Sequence, residues 1–592
     1  MRTSIATVCL SGTLADKLHA IADAGFDAVE IFEPDLIAAP QSPEEVRALC
    51  DRLGLEIALY QPFRDAEGVT EPEFAQVLRR AEAKFVVMDR LGVDTVLVCS
   101  NVATASVDDD AVSAAQLARL ADRAAVHGKR LAFEALAWGR YVDDYRRAWR
   151  IVESADHPAL GVCLDSFHIL SRGHDPADIE RIPGEKIFFV QLADAPLLSM
   201  DVLSWSRHHR LFPGEGGFDL PAFVRHTLHA GYTGPLSLEV FNDVFRQTDP
   251  ARTARHALRS LTVLEDALEA AAARPTSEPR ELDQVEVKAQ DTDAVAVVLE
   301  RIGFAPRGRH VTKPAWLYAA GEARIVLNEH NAAGTRPHVA GFGIRTDRPQ
   351  DAAARAERLG AQRAHRRVLA GEADLPAVLA PDGTEILISG PESGAAWPGE
   401  FAGGRGVPDP AIRGIDHVNL TEPAADIEEA VLFYGTALGL TRESSAELAG
   451  PAGLVRSQVL RSGGGSVRLA LNVVPPFAER TTTQRHAQHV AIACDDLHGL
   501  IGRARARGLR TVPVSANYYD DLAARFDLAP GELERLRESG LLYDRDASGE
   551  YLHCYTETVG SVFFELVERR GRYDGFGAAN TPVRLTAQHL SH

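Results

Sequence analysis

The chain has 592 residues and a formal net charge of −20, from 63 Lys and Arg against 83 Asp and Glu. This length predicts at least two domains, and the acidic surplus argues against nucleic acid or an anionic membrane surface as a main partner. No apolar run reaches the roughly 18 residues of a membrane-spanning helix. The six cysteines form no CxxC pair, which favours reduced thiols and a cytoplasmic location.

Short β-branched runs alternate with longer amphipathic stretches along the first 270 residues. The predicted strands are Ile5–Leu10, Ala28–Phe32, Glu56–Tyr60, Thr95–Cys99, Leu131–Glu134, Gly161–Asp165, Ile187–Leu192 and Leu236–Val240. Helical patterns such as Leu14–Ala24 and Glu73–Leu91 lie between them. Eight βα repeats in this length predict an α/β fold, a (β/α)8 TIM barrel over residues 1–270. No GxGxxG follows the first strand, which argues against dinucleotide binding.

Four oxygen-bearing side chains stand at the ends of predicted strands, where catalytic residues of TIM barrels lie. They are Glu134, Asp165, Gln191 and Glu239. Any one of them could be a strand-end residue in a salt bridge. Three carboxylates at one mouth, however, would repel one another unless a cation lay between them. Oxygen ligands favour Mg2+ or Mn2+ over zinc, so we predict a divalent cation, Mg2+, Mn2+ or Co2+, bound by these four side chains.

Residues 1 to about 265 resemble the xylose isomerase-like barrel family. The resemblance depends on the four strand ends, on the Glu30 strand Ala-Val-Glu-Ile-Phe-Glu and on the loop Phe212-Pro-Gly-Glu-Gly-Gly-Phe-Asp219. The family includes sugar isomerases, epimerases, an apurinic endonuclease and 3-dehydroshikimate dehydratases. Gln191 stands where many members carry His, and the additional His ligands of the endonuclease branch are missing from the strand ends. The resemblance therefore implies metal-dependent chemistry on a small molecule.

His168 lies three residues after Asp165, in the segment leaving the sixth predicted strand. An imidazole with an ordinary pKa near ~6.5 could remove a proton beside a metal-polarised ketone; the alternative is a surface histidine. Arg210 and Arg64 could bind a substrate carboxylate in a fork geometry, and Arg210 is also a catalytic candidate. Weaker candidates for substrate binding are Tyr60, Gln61, Ser206, His208 and His209.

The second half of the chain contains an internal repeat. An alanine-rich helix, Leu261–Ala273, ends the barrel, and residues 271–281 are predicted to be a linker. Beyond it, Leu282-Asp-Gln-Val-Glu-Val287 and Ile415-Asp-His-Val-Asn-Leu420 begin similar stretches. This repeat resembles the βαβββ pattern of vicinal-oxygen-chelate modules, which implies an α+β domain with modules at 282–400 and 412–592. Gln284 replaces His417 in the first module, which we therefore expect to bind no metal.

The second module has three potential metal ligands, His417, His489 and Glu565, each within a strand-like alternating run. Two histidines and a carboxylate are the facial triad of non-haem Fe(II) oxygenases. We therefore predict a second divalent metal, Fe2+ or a Mg2+-like ion, at these residues.

This region resembles 4-hydroxyphenylpyruvate dioxygenase along most of its length. The matching motifs are Gly414-Ile-Asp-His-Val, Leu469-Ala-Leu-Asn472, Gln488-His-Val-Ala, Phe563-Phe-Glu-Leu-Val-Glu-Arg569 and Asp574-Gly-Phe-Gly577. By motif, the substrate-side positions are Ser457, Asn472, Gln488 and Asn580. The sequence departs from the family between Asn472 and His489, within Tyr551–Tyr555 and at Thr581. The resemblance therefore implies an intact metal site beside a rebuilt substrate pocket.

The whole chain resembles the two-domain bacterial 3-dehydroshikimate dehydratases. That resemblance implies metal-dependent dehydration of 3-dehydroshikimate to protocatechuate in quinate and shikimate catabolism, with a small carboxylate as substrate and a homo-oligomeric assembly. Two other activities stay open at this point. One is a sugar or polyol isomerase or epimerase on the barrel, and the other is an Fe(II) dioxygenase acting through the C-terminal domain. With respect to dehydration, we expect the C-terminal half to be a structural or oligomerisation module with a vestigial site, and a separate activity of that half stays open.

Overall fold

The computed structural model describes residues 1–269, 277–451, 453–473 and 487–590. The chain divides into two compact units, residues 1–274 and 275–592. Most of the predicted linker and most of the segment between Asn472 and His489 lie outside the described residues. Within the described ranges, no helix is both long enough and apolar enough to cross a membrane.

The first unit is a closed barrel of eight parallel strands in sequential order, and this confirms the predicted fold. The strands are β1 (Thr3–Ala6), β2 (Ala28–Phe32), β3 (Glu56–Phe63), β4 (Thr95–Cys99), β5 (Arg130–Glu134), β6 (Leu160–Asp165), β7 (Ile187–Leu192) and β8 (Leu236–Leu238). The helices are α1 (Leu14–Ala24), α2 (Glu33–Ala38), α3 (Pro43–Leu53), α4 (Glu71–Leu91), α5 (Asp110–Val126), α6 (Tyr145–Ala155), α7 (Ser166–Leu170), α8 (Val202–His208), α9 (Leu220–His229) and α10 (Pro250–Glu269).

Local signals in the sequence explain most of these boundaries. Helix α3, for example, begins at a capping box in which Ser42 and Glu45 bond each other's backbone N–H groups. It ends at Gly54, whose left-handed conformation (φ 73°) suits a residue without Cβ. Strands β4 and β6 are buried along their whole length, as expected for parallel strands covered by helices.

Several predicted elements have different bounds in the structure, and the differences are largest at the first strand and the last helix of the barrel. The first strand ends at Ala6 instead of Leu10, and a 3-10 turn follows it. There, the Thr7 hydroxyl accepts a hydrogen bond from the Phe32 backbone N–H. The last helix of the barrel begins at Pro250, because Asp249 caps its free N–H groups with its side-chain and backbone oxygens.

The second unit contains two curled sheets, which confirms the predicted α+β domain. Among the described residues, the first sheet has nine strands and the second has eight. In each sheet the first strand of the module is central, with an antiparallel neighbour on one side and a parallel neighbour on the other. The two modules therefore share one topology around their central strands.

The strands of the second unit are β9 (Glu281–Lys288), β10 (Ala305–His310), β11 (Ala315–Ala320), β12 (Ala323–Asn328), β13 (His338–Arg345), β14 (Gln362–Arg363), β15 (Ala377–Leu379), β16 (Glu385–Ser389), β17 (Phe401–Gly403), β18 (Ile412–Glu422), β19 (Thr441–Gly450), β20 (Gly453–Arg461), β21 (Arg468–Val473), β22 (Gln488–Cys494), β23 (Leu542–Arg545), β24 (Gly549–Tyr555) and β25 (Val562–Gly571). The first sheet has the strand order β14-β15-β16-β13-β9-β12-β11-β10-β17, and the second has the order β19-β20-β21-β18-β22-β25-β24-β23. Its helices are α11 (Asp293–Ile302), α12 (Pro349–Arg358), α13 (Pro391–Ala396), α14 (Ile427–Ala437), α15 (Leu497–Ala506), α16 (Ala516–Arg525), α17 (Glu532–Ser539) and α18 (Thr581–Leu590).

Candidate active site and second metal centre

The carboxyl ends of four consecutive strands bring the predicted barrel ligands to one mouth. Strand β5 ends at Glu134 and β6 ends at Asp165. Gln191 is the next-to-last residue of β7 and lies opposite Asp165 in the parallel pairing. Glu239 directly follows β8. All four side chains are buried.

Asp165 also brings His168 to this mouth. Its Oδ1 accepts hydrogen bonds from the backbone N–H groups of Phe167 (2.6 Å) and His168 (3.3 Å), and so caps α7. His168 therefore lies on a short helix, where the sequence predicted a loop. Its Nε2 is 3.7 Å from Asp165 Oδ2 and 3.8 Å from Glu134 Oε1. A three-residue spacing places both side chains on the same face of one helical turn.

Arg210 lies among the carboxylates and is almost completely buried. Its Nη1 donates to Asp165 Oδ2 (2.8 Å) and to Glu239 Oε2 (3.1 Å). The Ser206 hydroxyl accepts from its Nε (3.1 Å) and Nη2 (2.9 Å), and the guanidinium carbon is 4.6 Å from the centre of the Phe167 ring. Ser206, predicted to bind substrate, thus holds the guanidinium of Arg210.

Gln191 contacts a further buried carboxylate that the sequence analysis did not assign to the site. Glu30, on β2, accepts hydrogen bonds from Gln61 (2.8 Å) and Gln191 (2.7 Å), and a third from the Ser237 hydroxyl. The other end of the Gln191 amide, Oε1, accepts from the Cys163 thiol at 3.4 Å. A glutamate in the middle of an apolar strand was the available signal for Glu30, since buried acids are rare unless paired.

The mouth has an excess of buried negative charge. Burial raises the pKa of Glu30 and of Glu134 well above the usual range, and raises that of Glu239 to about 7. For Asp165, burial alone would raise the pKa, but the charge and hydrogen bond of Arg210 together with the contribution of His168 outweigh it and lower the pKa. Arg210 bonds only two of these four carboxylates, Asp165 and Glu239, and a divalent cation would relieve the mutual repulsion of the group.

The donor atoms present fit a divalent cation. Among the described residues, Glu134 Oε1 is buried without a hydrogen-bond partner. Ligand atoms of Glu134, Asp165 and His168 all lie within 4.8 Å of one another. Carboxylate oxygens suit Mg2+ or Mn2+, and His168 is close enough to them to reach a substrate bound at such a cation.

The remaining barrel candidates lie in different surroundings. Tyr60 is buried, and its hydroxyl donates to Glu33 at 3.3 Å. Arg64 is half-buried just after β3, close enough for its charge to lower the pKa of the site histidine. His208 and His209 are exposed on or next to α8, and Nδ1 of His208 lies 3.0 Å from an aspartate carboxylate. Arg64 is therefore a better placed candidate than these two histidines.

Two N–H donors face the imidazole of His168. The backbone N–H of Ala137 donates to Nδ1 at 3.1 Å, and Arg210 Nη2 is 3.3 Å from Nε2. A neutral imidazole has only one nitrogen with a free lone pair, so it accepts from one of these donors at a time. A base acting through Nε2 requires the tautomer that is protonated at Nδ1.

The surroundings of His168 keep it neutral. Burial lowers the pKa of His168 to about 3. The positive charges of Arg210 and Arg64 act in the same direction, while the charge of Asp165 opposes them. Glu134, the other acid beside the ring, has a raised pKa of its own. The imidazole is therefore uncharged at neutral pH and has a lone pair available for a proton.

The second unit brings its three predicted ligands together. The Nε2 atoms of His417 and His489 are 3.2 Å apart, and Glu565 Oε2 is 3.2 Å from the first and 3.1 Å from the second. Ligand atoms about 2.1 Å from a metal ion lie about 3 Å apart when their bonds meet at right angles. Burial lowers the pKa of His489 to about 4, which leaves a neutral imidazole to bind a metal.

Hydrogen bonds behind the triad orient two of its ligands. Asp416 Oδ1 lies 2.7 Å from His417 Nδ1, and Arg569 binds the same carboxylate with two bonds of 2.7 and 2.8 Å. A carboxylate that binds the outer nitrogen of a ligand histidine fixes the ring with its other nitrogen toward the metal.

Glu565 has a separate set of partners. Its Oε1 accepts from the Tyr551 hydroxyl (3.1 Å) and from His553 Nδ1 (2.6 Å). Asn580 Nδ2 donates to Nε2 of the same histidine at 2.9 Å, so the ring carries its proton at Nδ1. Asn580, predicted to be on the substrate side, therefore acts on Glu565 through His553.

A cavity with about 1020 Å3 of empty space, counting its open mouth, adjoins the triad. Ser457 and Asn472 line it, as do Tyr555 and Arg584. Gln488 is buried next to His489 in β22, and its Oε1 has no partner among the described residues. Two of the four predicted substrate-side residues thus line the cavity.

Comparisons with known proteins agree with this architecture. Residues 18–264 match the model of the xylose isomerase-like TIM barrel family. Residues 414–534 match the glyoxalase, bleomycin resistance protein and dioxygenase superfamily. A 3-dehydroshikimate dehydratase of Pseudomonas putida is 42% identical, over 99% of this chain and 98% of its own length. The chain belongs to the 3-dehydroshikimate dehydratase family.

Two further comparisons span the full length. A 3-dehydroshikimate dehydratase of Pseudomonas aeruginosa is also 42% identical over 99% of this chain. A solved structure described as a xylose isomerase-like TIM barrel/4-hydroxyphenylpyruvate dioxygenase fusion protein covers 100% of both chains, with a TM-score of 0.89 and 40% identity. The resemblance inferred from the sequence is thus confirmed for both halves.

Proposed function

We propose that the barrel dehydrates 3-dehydroshikimate to protocatechuate in quinate and shikimate catabolism. The observation that carries this proposal is the buried carboxylate–histidine cluster at the mouth of a barrel whose full-length relatives bear that name. Such an enzyme is a hydro-lyase that acts on a small carboxylate and needs neither oxygen nor an electron donor.

The proposed chemistry removes one proton and one hydroxyl group. A divalent cation held by Glu134, Asp165, Gln191 and Glu239 would supply positive charge that polarises the substrate ketone. The neutral imidazole of His168 takes the proton next to that ketone. The hydroxyl group β to the ketone then leaves as water, and tautomerisation of the ring produces the catechol. Aromatisation drives the net reaction, so the main task of the site is to stabilise the enolate.

Substrate binding is proposed for the cationic side of the mouth. Arg64 and Arg210 are assigned to the substrate carboxylate, since guanidinium groups bind carboxylates with two parallel bonds. Ser206 supports this role through its two hydrogen bonds to Arg210. Tyr60, whose hydroxyl donates to Glu33, completes the proposed pocket.

The two units have separate proposed roles. Residues 1–270 form the dehydratase, residues 282–400 form a module without a metal, and residues 412–592 form the module that binds a second divalent metal, Fe2+ or Mg2+-like. The barrel metal is Mg2+, Mn2+ or Co2+. Six buried free cysteines support a reducing, cytoplasmic location, and we expect a homo-oligomer that binds neither nucleic acid nor membranes.

Family membership does not favour an isomerase or epimerase on this barrel. The facial arrangement of His417, His489 and Glu565 keeps an Fe(II) dioxygenase activity of the second unit as an alternative. Oxygen consumption distinguishes it from dehydration, which uses none.

The test is incubation of the purified, metal-depleted protein with 3-dehydroshikimate and each candidate metal, followed by near-ultraviolet absorbance. We expect an aromatic product only when metal is added. His168→Ala is the matched variant, because it removes the base and leaves all four proposed oxygen ligands in place. Absence of an aromatic product with every metal would reject the proposal, and oxygen uptake with Fe2+ would support the alternative.

A further inference from the structure

The hydrogen-bond registers of the two sheets in the second unit match position by position. Across β9 and β13, Gln284 lies opposite Gly343. Across β18 and β22, His417 lies opposite Ala491. Gln284 is therefore the structural counterpart of the first metal ligand. We call the cavity on this face of the first sheet the first cup, and the cavity next to the metal triad the second cup.

The first cup lacks the rest of the triad. By the same registers, Gly341 is the counterpart of His489, and Leu387 is the counterpart of Glu565. A Cβ atom added to Gly341 would lie 2.3 Å from a backbone carbonyl oxygen of β16. A metal-binding side chain at that position would require the strand to move. The first cup therefore has no place for the second ligand of a metal triad.

The first cup nevertheless keeps the polar pair found beside the triad. Asn328 Nδ2 donates to Glu286 Oε1 at 2.8 Å. At the counterpart positions of the second cup, Asn472 Nδ2 donates to Asn419 Oδ1 at 3.1 Å. Both pairs line their cavities. An amide that donates to a neighbouring acceptor is thus common to the two cups.

The first cup encloses a cavity of about 610 Å3, counting its open mouth. Gln284 lines it with only 4% of its surface exposed, and its carboxamide has no hydrogen-bond partner among the described residues. A Cβ at Gly343 would lie 2.8 Å from Gln284 Cγ, so the glycine makes room for this side chain. The carboxamide of Gln284 is not among the fully enclosed polar atoms without a partner, so it is accessible from the cavity and can form the hydrogen bonds that a buried polar group normally makes with a ligand there.

Two aromatic side chains whose ring planes are 81° apart form part of the wall of the first cup. Trp397 and Phe401 line it, with their ring centres 6.2 Å apart. The indole N–H of Trp397 donates to Asp283 at 3.0 Å, which fixes the ring against the sheet. Aromatic walls with a few convergent polar groups are typical of small-molecule sites.

The basic side chains that line the first cup differ in whether they are already paired with a carboxylate. Arg366 Nη1 donates to Glu385 at 2.9 Å, and Lys313 pairs with Glu372 at 2.8 Å. Arg367 lines the same cavity, is exposed and has no ion-pair partner among the described residues. It can therefore accept a carboxylate at the mouth, while the amides of Gln284 and Asn328 lie deeper in the cup.

We propose that the first cup is a metal-free binding site for a small cyclic carboxylic acid that carries hydroxyl groups. Arg367 binds the carboxylate, the aromatic walls enclose the ring, and Gln284 pairs with a hydroxyl or carbonyl group. The choice of protocatechuate as the probe ligand rests on the proposed function, because this product has all three features.

The test is isothermal titration of the full-length protein with protocatechuate in excess EDTA, which keeps both metal centres from contributing. We expect Gln284→Leu to weaken one binding step at least tenfold. Asn328→Ala should also weaken it, and Asn472→Ala, the counterpart change in the second cup, should leave it unchanged. Binding that is lost in Asn472→Ala and kept in Gln284→Leu would overturn the proposal, as would the absence of any step sensitive to Gln284.

A substitution on the surface tests the site even if the variants of the buried residues misfold. Arg367→Ala should weaken the same binding step several-fold. Arg363 is also exposed but lies outside the cup, so Arg363→Ala should leave that step unchanged. Equal affinity in these two variants and the wild type would also reject the site. Dehydratase turnover of Gln284→Leu is measured in parallel. A protein that binds the probe in the first cup but forms no aromatic product would contradict only the proposed function.

Discussion

A pH titration tests whether His168 works as a neutral base. Its pKa is lowered to about 3 by burial, with Arg210 and Arg64 acting in the same direction. At pH 5 a histidine with this pKa is about 99% neutral, whereas one with the ordinary value near 6.5 is about 3% neutral. The two cases differ by about 30-fold in the fraction of active base.

The sign of the effect follows from the role of the group. The neutral imidazole accepts the proton, so a lowered pKa extends the active form to more acidic solution and makes it a weaker base. The contribution of His168 to kcat should therefore stay constant between pH 8 and pH 5. It should not fall about 30-fold, as an imidazole with an ordinary pKa would require.

The assay compares kcat of the wild type with kcat of His168→Ala at each pH, with saturating metal. The ratio cancels metal loss and other titrations that both proteins share. Removal of a positioned base costs about 10²–10⁴ in rate, so we expect a ratio in that range at every pH. A ratio that declines about 30-fold from pH 8 to pH 5 would refute the conclusion that burial lowers the pKa of His168. A ratio near one would assign the proton transfer to another group.

Three other perturbations have defined outcomes. Glu134→Ala, and reversibly EDTA, should remove the barrel metal together with dehydration; turnover that survives chelation would contradict the metal role. His417→Ala and His489→Ala should empty the second centre, by metal analysis, yet keep dehydration within a few-fold; a loss by orders of magnitude would show coupled centres. Asp409→Asn breaks a buried ion pair with two arginines and should destabilise the second unit by about 1–3 kcal/mol in denaturant titrations. Because hydrogen bonds from arginine lower the pKa of Asp409, the difference in unfolding free energy between this variant and the wild type should shrink below about pH 4. The control is Asp495→Asn, which removes an exposed ion pair and should change the unfolding free energy little.

The barrel could be predicted from the sequence because its signals are local. Eight apolar runs with helical stretches between them have the period and length of a βα repeat. The bounds of β2, β4 and β7 agree residue by residue with the predicted ones. Polar side chains at the ends of such strands must meet at one mouth, because all the strands are parallel.

The cluster of potential metal ligands in the second unit was also predictable. His417, His489 and Glu565 each lie in an alternating strand pattern, and the repeat indicated a cupped sheet. The hydrogen bonds behind the triad were less accessible, since Asn580 reaches Glu565 only through His553. That chain joins residues 12 and 27 positions apart on two neighbouring strands and a 3-10 turn, and no regular local spacing encodes it.

The sequence by itself thus determined the two folds, the strand-end carboxylates of the barrel and the triad of the second unit, since each depends on residue type at a regular local spacing. Only the tertiary structure decided that Arg210 lies between Asp165 and Glu239 and that Gln191 bonds Glu30. Each of these buried groups takes its partner from another strand or loop. Burial makes an unpaired charge costly, and the folded chain alone determines which opposite group is within reach.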